Sequence, residues 1–67
     1  MTILLNDEPV KLPNDFMTLD DLVKWKNISN QGTAIALNDK LIKQDQWPVT
    51  NLKNMDQVTV ISAAFGG

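Results

Sequence analysis

The chain has 67 residues, 43% hydrophobic and 21% charged, with a net charge of −2 and a pI near 4.6. It is one small domain, too short to wall a catalytic pocket on all sides, and its acidity and lack of arginine argue against nucleic acid. Cysteine and histidine are both absent, which excludes disulfides, thiolate nucleophiles, histidine triads and structural zinc; no metal site and no catalytic group are expected.

The opening MTILLNDEPV has no basic region and no long apolar run, so neither a signal peptide nor a membrane span is expected. TILLN, residues 2–6, is β-prone, and NDE after it tolerates turn conformations. PVKLP, residues 9–13, alternates as a short antiparallel partner, and its prolines fit an edge strand. The spacing predicts a hairpin.

TLDDLVKWKN, residues 18–27, carries the helix signals. Thr18 stands as N-cap with Asp21 three residues on, a capping-box signature. Asp20 and Asp21 lie near the positive end of the helix dipole, Lys24 and Lys26 near the negative end, and Asp20 and Lys24 have i, i+4 spacing. Leu19, Leu22 and Val23 form one narrow apolar stripe with Trp25 at its edge, so the helix packs on something flat.

TAIALN (33–38) and KLI (40–42) read as strands joined at Asn38-Asp39. KQDQWP predicts a short helical turn ending at Pro48, with Trp47 covering the edge of the core. QVTVIS (57–62) is the strongest strand in the chain. The fold class is therefore α+β, with a sheet covered on one face by one main helix across residues 1–62. If the first and last strands pair in parallel at the centre, the sheet is mixed and the fold is a β-grasp; hairpin-only topologies remain open.

Residues 63–67, AAFGG, have no apolar period and no turn signature, and are expected to form a flexible tail leaving the central strand. Five extended residues reach about 17 Å. Gly66 and Gly67 lack a Cβ, so the end can enter a narrow channel with nothing crowding the terminal carbonyl carbon. The chemistry that needs such an end is acyl activation: the carboxylate attacks the α-phosphate of ATP, and a sulfur or nitrogen nucleophile then displaces AMP. Strand alternation puts Ile3, Leu5, Val58 and Val60 under the helix and Leu4 and Ile61 on the uncovered face. Leu4, Ile61 and Phe65 are the candidate partner-binding residues. Trp25 and Trp47 read as packing residues, and Asp20, Asp21, Asp45 and Asp56 as caps, turns or solvated charge.

The runs ILLNDEPV, TLDDLV, AIALNDKLIKQDQW and DQVTVISAAFGG carry a resemblance that spans essentially the whole chain. It resembles the sulfur carrier proteins of thiamine biosynthesis, the ThiS family of small ubiquitin-like β-grasp proteins. Where those relatives commonly have glycine, this chain has Met55 before Asp56, and Asp7 and Asp39 in the hairpin turns. The resemblance implies a protein cosubstrate working in the cytoplasm. A ubiquitin-activating-type adenylyltransferase would adenylate Gly67 with its own ATP and magnesium, the carrier itself binding no cofactor. A cysteine desulfurase system would supply sulfur for a thiocarboxylate, and thiazole synthase would receive it; Gly66 would give the end access. Other readings are the sulfur-carrying small subunit of molybdopterin synthase, a ubiquitin-like modifier joined to lysines, or a non-covalent module with an incidental Gly-Gly.

Overall fold

The computed structural model of the chain describes residues 1–62. In chain order the elements are β1 (Thr2–Leu5), β2 (Glu8–Lys11), α1 (Leu19–Trp25), β3 (Thr33–Leu37), β4 (Lys40–Ile42), a 3-10 helix (Gln44–Val49) and β5 (Gln57–Ser62). They form one five-stranded sheet in the order β2-β1-β5-β3-β4. β5 is central, parallel to β1 and antiparallel to β3, so the sheet is mixed and the β-grasp expectation holds. Pro9 stands on edge strand β2, opposite Leu4, where its missing N–H costs no ladder bond. Both predicted strands of that hairpin end earlier than expected. Asn6 enters the left-handed region, and Pro13 lies beyond β2.

The helix is shorter than the predicted 18–27, and both of its ends have a physical cause. At the start the Thr18 hydroxyl accepts the Asp21 N–H at 3.1 Å while the Asp21 carboxylate accepts the Thr18 N–H at 3.0 Å. At the other end Asn27 adopts φ 56°, the Asn27 N–H donates to the Lys24 carbonyl and the Ile28 N–H to the Val23 carbonyl. That is a Schellman stop with asparagine in the position glycine usually takes. Ile28 then packs back against the core beside the helix.

The apolar stripe Leu19, Leu22 and Val23 is buried against Ile3, Ile35 and Val58 from three different strands. Leu12, Met17, Trp47 and Leu52 close the core from the connecting segments. Trp47 is only 2% exposed, so it lies inside the core and not at its edge as the sequence reading had it. Its indole N–H donates to the Ile42 carbonyl at 3.1 Å, which satisfies the polar atom that burial would otherwise strand. The start of α1 is tied to the segment after the 3-10 helix by the Leu19 N–H to Thr50 carbonyl bond and the Leu52 N–H to Met17 carbonyl bond, at 2.9 and 2.8 Å.

Candidate functional site

The candidate site is built around the far end of β5, from which residues 63–67 continue. Two hairpin turns hold this strand in place. Asn6-Asp7 follows Leu5 at the end of β1 and Asn38-Asp39 follows Leu37 at the end of β3, and in each the Asn-Asp pair has both residues at positive φ, 50° and 69° in the first and 51° and 68° in the second. Such turns match the twist of the strands they join, and asparagine and aspartate tolerate the left-handed region better than other residues with a side chain. The geometry turns both asparagine side chains onto β5. On the β1 side Asn6 Oδ1 accepts the Val60 N–H at 2.8 Å. On the β3 side Asn38 Oδ1 accepts the Gln57 N–H at 2.9 Å, while its Nδ2 donates to Asp56 at 3.0 Å. Sequence reasoning placed Asn6 and Asn38 in turns and missed that they clamp the central strand. The repeated Leu-Asn-Asp was the signal that could have found them.

The sheet face away from α1 carries two of the residues expected to meet a partner. Ile61 and Leu4 both lie on it, as expected, with Ile61 53% exposed and Leu4 half-buried. They do not form a contact pair. Leu4 is in register with Gln57, four positions before Ile61, which puts them about 13 Å apart along the strands. The direct neighbour of Ile61 is Ala34, and one step along the same face Thr59 meets Ala36, which in turn meets Leu41. Leu41 is 65% exposed. The apolar surface therefore runs from Ile61 across the two alanines to Leu41. The alternation of β4, with Ile42 turned toward the core, could have placed Leu41 there from sequence.

The remaining candidates resolve into structural parts. Asp21 caps the helix, and Asp56 closes a turn by accepting the Lys53 N–H at 2.7 Å. Asp20 pairs with Lys24 at 2.9 Å, and Asp45 stands exposed in the first turn of the 3-10 helix. Lys24 has its ammonium held above its ordinary value, first by the hydrogen bond to Asp20 and then by that carboxylate's charge. Trp25 is partly exposed with the Lys26 ammonium 5.6 Å from its ring centre. An open groove of about 530 Å³ lies between α1 and the 3-10 helix, but its polar groups already serve one another: Lys24 pairs with Asp20, and Gln44 donates to the Asn30 carbonyl at 2.7 Å. Among the described residues there is no cluster of three metal-ligating side chains, and no helix is long and apolar enough to cross a membrane. Phe65, Gly66 and Gly67 lie outside the described residues.

Four likenesses bear on this arrangement. The model of the ThiS family matches residues 3–67. A relative from Escherichia coli strain K12, the sulfur carrier protein ThiS, is 25% identical over 67 residues, covering the whole of both chains. The crystal structure of a thiamine biosynthesis protein (ThiS) from Geobacter metallireducens superposes with a TM-score of 0.86 at 17% identity, again over the whole of both chains. A solution structure of a thiamine biosynthesis protein from the same organism gives 0.82 at 17% identity, over all of this chain and 88% of the other. At that identity the two structures speak for the fold.

Proposed function

This chain belongs to the ThiS family, and from that premise we propose that it is a sulfur carrier in thiamine biosynthesis, its Gly67 carboxylate being the group that is charged and unloaded. The single observation that carries the reading is that the family match runs through residue 67, so Gly66-Gly67 falls within it. The carboxylate attacks the α-phosphate of ATP on a ubiquitin-activating-type enzyme, releasing pyrophosphate. A sulfur nucleophile then adds at the acyl carbon and AMP departs, leaving a thiocarboxylate. Thiazole synthase takes the sulfur, and the carrier returns to its carboxylate form.

Division of labour supports this. A chain without histidine, cysteine or arginine has little with which to bind a nucleotide or move a proton, so phosphate binding and base chemistry fall to the partners, as do ATP and magnesium. What the chain offers is an unhindered acyl end on the strand that the rest of the fold holds most firmly, with Ile61, Leu41, Leu4 and Phe65 as the surface by which partners select it. The reaction is placed in the cytoplasm with a cysteine desulfurase system as the sulfur source.

The test is to incubate the chain with an activating enzyme of this type, ATP, magnesium and sulfide, and to weigh it intact. An oxygen-for-sulfur exchange localised to Gly67, reversed on adding thiazole synthase, is the expected result. An unchanged mass overturns the reading, and conjugates joined through lysines would make the chain a protein modifier instead.

A further inference from the structure

We propose that the edge of β5 beyond Asn6 is a strand-addition site, where the Val60 carbonyl and the Ser62 N–H pair with an extended main-chain segment of the activating enzyme. The inference rests on the carrier reading and deepens it. β1 ends at Leu5, yet β5 runs on to Ser62, so the two strands part company before the sheet's central strand is finished. The Asn6 N–H reaches the Val58 carbonyl at 2.9 Å, and its side-chain oxygen then takes the Val60 N–H in place of the main-chain carbonyl that the turn has carried away. This fixes which way each residue points. Within a strand, the N–H and C=O of one residue face the same edge and successive residues alternate. Val60 and Ser62 therefore address the β1 side, while Ile61 addresses β3 beside Ala34. Past the Asn6 bond, no described main-chain group meets the Val60 carbonyl or the Ser62 N–H on that side.

An unpaired donor and acceptor in regular strand geometry form a template for another strand. Here the template is already rigid on its other edge, because β3 pairs with β5 as far as Ser62. The occupant follows from length. Five residues follow Ser62, and a chain of that length reaches at most about 17 Å, so an enzyme that acts on Gly67 must have its surface within that distance of this edge. Asp7 in the neighbouring turn and Glu8 at the start of β2 are both exposed, which favours a segment carrying lysine or arginine. Pairing here sets the direction in which the remaining residues leave the domain.

Ser62→Pro and Ser62→Ala separate the main chain from the side chain. Proline removes the N–H on the open edge only, since Ser62 does not use it toward β3, whereas alanine keeps it. With the activating enzyme and ATP, Ser62→Pro is expected to raise the KM for this chain about tenfold with kcat little changed, and Ser62→Ala to behave as wild type. Independently of either variant, the Ser62 amide of the wild-type chain should exchange its hydrogen about tenfold more slowly in the complex than alone. A Ser62→Pro KM equal to that of Ser62→Ala, or a Ser62 amide that exchanges equally fast in both states, overturns the edge proposal while adenylation of the wild type leaves the carrier reading standing. If Ser62→Pro does not fold, the amide measurement decides alone. A wild-type chain that is never adenylated removes both.

Discussion

The carboxamide oxygen of Asn6 accepts the main-chain N–H of Val60 at 2.8 Å, joining residues 54 apart in the sequence. Asn6 thereby performs two tasks that conflict in most residues: it occupies the left-handed region at φ 50° and serves as the last rung of a parallel ladder. Asn6→Ala should destabilise the domain by about 2 kcal/mol, because it strands the Val60 N–H and removes the carboxamide that makes the left-handed region tolerable to a residue with a β-carbon. Asn6→Gly relieves the backbone and loses only the hydrogen bond, so about 1 kcal/mol is expected. Urea unfolding of the three proteins measures both differences. Equal midpoints would show that the side chain contributes nothing to holding β5.

Much of this fold was legible in the sequence. The capping box at Thr18 and Asp21, the Asp20–Lys24 pair, and the limits of β4 and β5 rest on local chemistry that neighbours along the chain specify, and the structure has them where the residues indicate. The alternation of β1 and β5 correctly divided Ile3 and Val58 from Ile61. What escaped depends on contacts between distant segments. Trp47 reads as an edge residue until Ile3, Leu22 and Val58, from other parts of the chain, are seen to share its core. Leu4 and Ile61 read as residues of one face, and only the register shows them to be four positions apart on it. Periodicity specifies a face, whereas register specifies a neighbour, and only the second makes a contact.

Met55 sits at φ 70° with its N–H bound to the Thr2 carbonyl at 2.6 Å. A side chain with a β-carbon and no local hydrogen bond to offer is a poor occupant of that region. Met55→Gly should therefore stabilise the domain by about 0.5–1 kcal/mol after the larger entropy of the unfolded glycine chain is set against the relief. Asp7→Gly and Asp39→Gly, at φ 69° and 68°, should gain less, since aspartate is better adapted to the same conformation. A thermal melt resolves the change, as about 1 kcal/mol moves the Tm of a domain this size by roughly 4–8 °C. A lower Tm for Met55→Gly would mean that the methionine side chain contributes more by packing than its backbone loses.

Trp47→Phe should cost about 2 kcal/mol, combining a cavity in the core with a lost bond to the Ile42 carbonyl. In a domain this short, that is a large share of the total stability. Denaturant unfolding monitored at the remaining Trp25 gives the value directly. A variant as stable as wild type would place the indole outside the core.

Lys24 makes the alkaline limb of the stability profile specific. Its pKa is raised above 10.5, first by the hydrogen bond from its ammonium to Asp20, so the folded state holds that proton more tightly than the unfolded chain. The contribution is fully present below the unfolded value and disappears as pH rises through the folded one. Lys24→Met should differ from wild type in Tm at about pH 9, and that difference should shrink by about pH 12. A constant gap across this range would assign the effect to packing of the stem and not to charge.

Ile61 and Leu41 test the docking face without disturbing the core. Both are more than half exposed and sit beside alanines, so replacing them removes apolar surface that the domain itself barely uses. Threonine is the informative substitution, because its β-branched shape is one that strands accept while it loses most of the apolar contact. Ile61→Thr and Leu41→Thr should each leave stability within about 0.5 kcal/mol of wild type. Each should also raise the KM of the activating enzyme for this chain about fivefold or more, as a central apolar anchor does when truncated. Leu4→Thr should have the smaller effect of the three, since Leu4 is already half-covered and stands about 13 Å along the sheet from Ile61. If Leu4→Thr weakened recognition most while Ile61→Thr and Leu41→Thr had no effect, the enzyme would meet the sheet at its β1–β2 edge, and the strip from Ile61 to Leu41 would be ordinary surface.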